Sequence, residues 1–352
     1  MTSNTESDYQ QRTSWRRLAV FSLIFLAMTA AGIYAVYDRF AGRSFEFDTR
    51  LASPTIVFAA IVLLAVYFLA DGLRLHYTLR ALGHKLPFRK LFKLVFINLF
   101  FSNVTPMATG GGFAQIWYLT RNGVPVAGAT AATTIRTLLA VVFIFSLTPV
   151  FLLNLDALDG HSWSDAVTTT LAVLVCGYLG FFAILLFKTR WLIAPLSSLV
   201  YLLHAGHLIN EGRYVRWQFR LRRELLRFAQ CFHDYRQGRA LHILLSIVFT
   251  AVFLLSLFSF PALLIHGLGY QVDYLVTLGL LVVTTFIMYF APTPGASGIS
   301  EGVFGNFFQD ILSGNHLVLV TVVWRFLTIY LGMIVGLLVM QRDLIKSHRS
   351  NQ

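Results

Sequence analysis

The chain has 352 residues, of which 57% are apolar and 12% charged, and its mean hydropathy is +0.68. So little charge cannot cover a soluble globule of this size, and the apolar runs are long enough to span a bilayer, so a polytopic all-α membrane bundle is expected and a soluble enzyme is not. The net charge of +12 does not point to nucleic acid, because Lys and Arg gather in alternate loops, as cytoplasmic segments facing anionic headgroups do.

Full crossings are expected at residues 17–37, 54–78, 124–151, 165–188, 240–264 and 314–340, each near or above the length needed for the hydrocarbon core. The first is too long for a signal-peptide core and lacks a small-residue cleavage pattern, so it reads as an uncleaved helix. Asp71 and Arg74, three residues apart toward the cytoplasmic end of the second crossing, read as a local ion pair. Three Arg precede Leu18, five Lys or Arg fall within 80–93, ten within 188–239 and three after Met340, whereas 154–165 has three Asp and no basic residue. This alternation predicts an inner-membrane protein with both termini, the 80s loop and the 188–239 loop in the cytoplasm.

Two stretches do not fit a simple crossing. "NVTPMATGGG" and "APTPGASGISEG" both carry the skeleton Thr-Pro-x-Ala-[Ser/Thr]-Gly inside apolar sequence. Proline and clustered glycine stop a helix, and non-helical backbone is tolerated at membrane depth only where protein or a wet cavity surrounds it. From the charge bias, the region 93–121 starts and finishes inside, whereas 274–315, with a short return arm at 299–308, starts and finishes outside. They are expected as two oppositely inserted, re-entrant broken hairpins, with tips at Pro106, Gly110, Gly111, Gly112 and at Pro294, Gly295, Gly298. Arg136 lies 31 residues after Thr105 and Arg325 lies 32 after Thr293, so each hairpin is followed by a helix with an interior arginine. The prediction is one integral membrane domain, 1–352, built as an inverted repeat: a first half at 15–165, a linking helix and basic cytoplasmic segment at 165–240, and a second half at 240–340.

An arginine cannot face lipid cheaply, so Arg136 and Arg325 are expected to line a polar interior. They can offer forked donors to a lipid phosphate, with Thr105, Thr109, Gln115, Thr293, Ser297 and Ser300 as neutral hydrogen-bonding groups and Glu301 tuning the arginines or meeting a substrate cation. The competing reading is that Glu301 pairs with Arg325 or Arg136 and only holds two repeats together. Between the fourth and fifth crossings, Tyr214, Trp217, Leu221, Leu225 and Phe228 recur at helical spacing while Arg213, Arg216, Arg220, Arg223 and Arg227 take other faces, which predicts an amphipathic helix on the inner leaflet or packed against the bundle ends. No metal, cofactor or catalytic site is expected: Cys176 and Cys231 have no paired spacing, His204 and His207 have no third ligand nearby, and "TGGG" lacks the Lys-[Ser/Thr] of a nucleotide-binding loop.

"NVTPMATGGGFAQIWYLTRNGV" and "PTPGASGISEG", followed by the helix with Arg325, resemble the flippase-like membrane domain of lysylphosphatidylglycerol synthases and of stand-alone prokaryotic relatives, over about residues 15–340. The resemblance implies movement of phospholipids or lipid-linked intermediates, with Pro106, Gly110, Gly111, Arg136, Pro294, Gly295, Gly298, Glu301 and Arg325 at the polar-cavity positions. Gln115 departs from it, standing where relatives often have an acidic residue. Because the sequence ends soon after the last predicted helix, lysine transfer is not expected of it. The implied partners are an anionic phospholipid or lipid-linked phosphate as substrate. The alternatives are a non-transporting scaffold or accessory protein for a lipid-modifying enzyme, or a membrane enzyme.

Overall fold

The computed structural model describes residues 47–105, 107–154 and 210–350, with isolated positions within 23–34 and 173–205. The expected crossings at 17–37 and 165–188, most of the acidic loop 154–165, Pro106 and His207 lie outside the described residues. A 3₁₀ turn, Thr49–Ala52, leads into ten α-helices among the described residues: α1 Pro54–Ala81, α2 Phe88–Val104, α3 Thr109–Arg121, α4 Val126–Asn154, α5 Glu211–Arg236, α6 Ala240–Gly267, α7 Tyr274–Met288, α8 Ile299–Phe308, α9 Gly314–Arg325 and α10 Leu331–Ser350. A π-helical turn, Phe326–Tyr330, joins the last two. Among the described residues, four stretches are long and apolar enough to cross a membrane: α1, Val126–Leu152 in α4, α6, and Gly314–Arg342 through α9 and α10.

Pro54 starts α1 at a position where its missing N–H costs nothing, and the long apolar runs of α1 and α6 pack against each other along their length. Their ends fix the direction. A side chain at Gly238, just before α6, would strike the Ala81 carbonyl at the end of α1, while Gly267 at the end of α6 sits against Ile56 at the start of α1. The two helices are therefore antiparallel, and the bundle has two distinct ends.

Contacts at those ends place the two helix–break–helix units. Gly128, at the start of α4, lies against His84 in the loop before α2, so the α2–α3 unit begins and finishes at the α1 C-terminal end. At the other end Tyr270 Oη, before α7, lies 2.8 Å from His316 Nδ1, and the Ser313 N–H donates to it at 3.1 Å. His316 Nε2 lies 3.1 Å from Asp48 Oδ2, and Arg50 donates to the same carboxylate at 2.6 Å. The Arg50 hydrogen bonds hold Asp48 well below the usual carboxylate range. The α7–α8 unit thus begins and finishes at the end opposite to α2–α3.

Each unit has its own packed surroundings. Leu75, Leu91, Leu94 and Leu119 are buried between α1, α2 and α3, and a larger cluster around Phe258, Phe286, Phe304 and Phe308 holds α7 and α8 against α4, α6 and α9. Within it Phe304 stacks on Trp324 at 5.0 Å, while Phe145 and Phe286 meet edge to face at 4.8 Å. Helices that share an apolar solvent gain little from hydrophobic exclusion and depend on such close packing.

α10 approaches α2 through Gly332 and Gly336. A Cβ at Gly332 would lie 2.7 Å from Leu99 Cδ1, and one at Gly336 would collide with the Phe96 carbonyl. Backbone cannot swing aside as a side-chain tip can, so Gly336→Ala is expected to cost about 1–3 kcal/mol. Thermal unfolding in detergent checks this, with Gly302→Ala, where nothing lies within 4 Å, expected to leave stability unchanged or slightly higher.

Candidate functional site: two helix breaks with buried arginines

The repeated skeleton folds the same way twice. At the first break Met107 and Ala108 have φ of 53° and 54°; at the corresponding positions of the second, Gly295 and Ala296 have φ of 57° and 53°. In each, the alanine N–H returns to the threonine carbonyl, Ala108 to Thr105 at 3.3 Å and Ala296 to Thr293 at 3.1 Å. Left-handed backbone at a non-glycine residue costs roughly 1–2 kcal/mol, so two equivalent pairs require specific support. Thr105 Oγ1 donates to Phe101 O and accepts the Gly110 N–H, both at 2.7 Å. Thr293 Oγ1 donates to Ser297 O at 3.0 Å. Gly111 lets α3 fold back on α2, because a side chain there would overlap Ser102 and Asn98.

Arg136 reaches back to the first unit. Its Nη1 donates to Gln115 Oε1 on α3 at 2.6 Å, and its Nη2 donates to Asp71 Oδ1 and Oδ2 on α1 at 2.5 and 2.6 Å. Gln115 Nε2 donates to Asn98 Oδ1 on α2 at 2.7 Å. Asp71 also accepts from Arg74 Nε at 2.5 Å, and the Arg74 guanidinium lies 3.8 Å from the centre of the Phe253 ring on α6. One polar network thus joins α1, α2, α3, α4 and α6 in an otherwise apolar interior. The expected Asp71–Arg74 pair is present, but Asp71 serves Arg136 as well.

Arg325 and Glu301 form a second centre and are wholly buried. Arg325 Nε lies 2.9 Å from Glu301 Oε1, and Nη2 donates to Gly295 O at 3.0 Å with Ser297 Oγ at 3.5 Å. The other Glu301 oxygen accepts the Gly298 N–H at 2.7 Å and the Ser300 hydroxyl at 2.8 Å. An acid in the first turn of a short helix favours that helix electrostatically, so Glu301 both starts α8 and neutralises Arg325. The structure therefore pairs Glu301 with Arg325, and Arg136 with Asp71.

Of the other residues expected at this site, Thr109 is exposed and Gly112 is half-buried where α3 begins. Pro294 is buried in the second break. Arg213, Arg216, Trp217, Arg220, Arg223 and Arg227 lie on α5, away from both centres, with their side chains exposed. His204 stacks on Tyr214 at 4.7 Å, and Tyr235, at the far end of α5, is buried with its hydroxyl 2.5 Å from Ser246 Oγ on α6.

With this arrangement in view, the lysylphosphatidylglycerol synthase TM region matches residues 15–336. The chain belongs to this family. It is also similar to a UPF0104 membrane protein of Archaeoglobus fulgidus, with 22% identity over 298 residues that cover 85% of this chain and 89% of the relative. As a member of the lysylphosphatidylglycerol synthase TM family with four spanning stretches among its described residues, it is a multi-pass membrane protein.

Proposed function

We propose that the protein moves a phosphate-bearing lipid or lipid-linked intermediate across the inner membrane, acting as a transporter and not as an enzyme. The observation that carries this reading is the duplicated break: two similar left-handed turns, each followed by a helix whose buried arginine hydrogen-bonds back to the helix–break–helix unit before it. Because the bases of the two units lie at opposite ends of the bundle, we read them as hairpins re-entering from opposite faces of the membrane, related as an inverted repeat. In that arrangement one central polar site can be exposed alternately to either side. Arg74 Nη1, Arg136 Nε and Arg325 Nη1 are buried nitrogens with no hydrogen-bond partner among the described residues, as donors awaiting a headgroup would be. A family named for a phospholipid-modifying synthase supports a lipid as cargo, and the bias of Lys and Arg toward alternate loops supports a topology with both termini in the cytoplasm.

The exposed cationic side of α5 favours a second reading, a scaffold that holds a lipid-modifying enzyme on the inner leaflet. Reconstitution separates the two. Pure protein in liposomes should move a fluorescent phospholipid between leaflets faster than protein-free vesicles; a rate equal to that of empty vesicles, restored only by a partner protein, would favour the scaffold.

A further inference from the structure

The charges of the two buried centres do not balance alike. Around Arg325 one cation meets one carboxylate, but around Asp71 there are two cations, Arg74 and Arg136, at 7% and 4% exposure, and a single carboxylate at 2%. Among the described residues, Asp71 is the carboxylate that pairs with Arg74 and with Arg136. Among the described residues the first centre therefore holds one more positive than negative charge, a state that costs several kcal/mol inside a bundle unless an anion joins it. Its donors are not all used: Asp71 and Gln115 occupy two nitrogens of Arg136, and Asp71 occupies two of Arg74, so each guanidinium keeps one buried nitrogen without a partner among the described residues. Tyr289, at the start of the second break, is 41% exposed, and its ring meets edge to face, at 5.9 Å, that of Phe145 on α4, the helix that carries Arg136. It packs the second break against the helix that carries Arg136, with part of its surface open.

We infer that Arg74 and Arg136, spaced by Asp71, form a binding site for one phosphodiester anion, with Tyr289 as its third donor. Asp71 sets the charge of the site at plus one, which a phosphodiester neutralises and a phosphomonoester dianion exceeds. A ligand held there bridges the first network to the second break, so its arrival or departure can couple the two hairpins. The lipid identity of this anion rests on the transport reading above; the anion site itself does not.

The test uses the full chain in a neutral detergent and follows thermal unfolding and affinity with dihexanoyl phosphatidylglycerol, with dihexanoylglycerol as the phosphate-free control and inorganic phosphate as the lipid-free one. The phosphatidylglycerol should raise the melting temperature, and the phosphate-free control should not. Affinity should follow the charge of the cluster: Asp71→Asn above the native protein, and Arg74→Gln below it by on the order of thirtyfold or more. Tyr289→Phe, which keeps the ring in place, should fold as the native protein does and bind several-fold more weakly. Native affinity in Arg74→Gln overturns the site. If that variant does not fold, native affinity in Tyr289→Phe overturns it instead. An equal shift from inorganic phosphate alone keeps the anion site and overturns its assignment to a lipid. Charge-ordered binding in a protein that moves no lipid upholds the site and removes the transport reading, whereas native affinity in an Arg74→Gln variant that still moves lipid removes the site and keeps the transport reading.

Discussion

Glu301→Gln is expected to lower the stability of the protein by about 3–5 kcal/mol, the range for stranding one member of a buried ion pair. Arg325 and Glu301 are both at 0% exposure, so water cannot replace the lost charge. The amide is nearly the size of the carboxylate and still accepts the Gly298 N–H, so the loss reports the guanidinium left without its counter-charge and not a cavity or a broken helix start. Arg325→Gln should cost a comparable amount for the converse reason. Equilibrium unfolding in mixed micelles measures both, and a loss below about 1 kcal/mol in each would show that water or another group already compensates the pair.

The helix breaks were legible in the sequence because their chemistry is local. Proline and glycine act on their own backbone, so a repeated Thr-Pro-x-Ala-[Ser/Thr]-Gly gives a repeated turn, and Ile299–Phe308 is a helix over the span read as a return arm. Asp71 shows where such reading stops. Its neighbour Arg74 is one helical turn away and visible from spacing, but Arg136 is 65 residues distant, and no local rule selects it over Glu301. The available signal was a count: a chain this poor in charge carries Arg74, Arg136 and Arg325 with Asp71 and Glu301 in its apolar stretches, and three cations with two carboxylates must either come together or leave a bare charge. The close approach at Gly332 and Gly336 was equally hidden, because a glycine pair in an apolar helix does not say which neighbour it admits. Likewise nothing in "FLTIY" distinguishes the π-helical turn that follows Arg325 from ordinary helix.

The competing roles of the Arg325–Glu301 pair separate in a double variant. Arg325→Met combined with Glu301→Gln removes both charges, fills much of the arginine's volume and keeps an acceptor for Gly298. Replacing a buried pair by neutral groups of similar size is often neutral or stabilising, so most of the stability lost in each single variant should return. That recovery is an interaction energy of the kind adjacent residues show and distant ones do not. Lipid movement should not return with it. If a headgroup phosphate meets Arg325 during transport, methionine offers no donor, and the stable double variant should remain near the rate of protein-free liposomes. Both quantities belong in the same vesicle preparations, because a variant that inserts poorly mimics one that cannot transport. Recovery of stability together with native transfer would make the pair a structural tie and leave cargo binding to the Arg74–Arg136 cluster; recovery of stability alone places Arg325 in contact with the lipid.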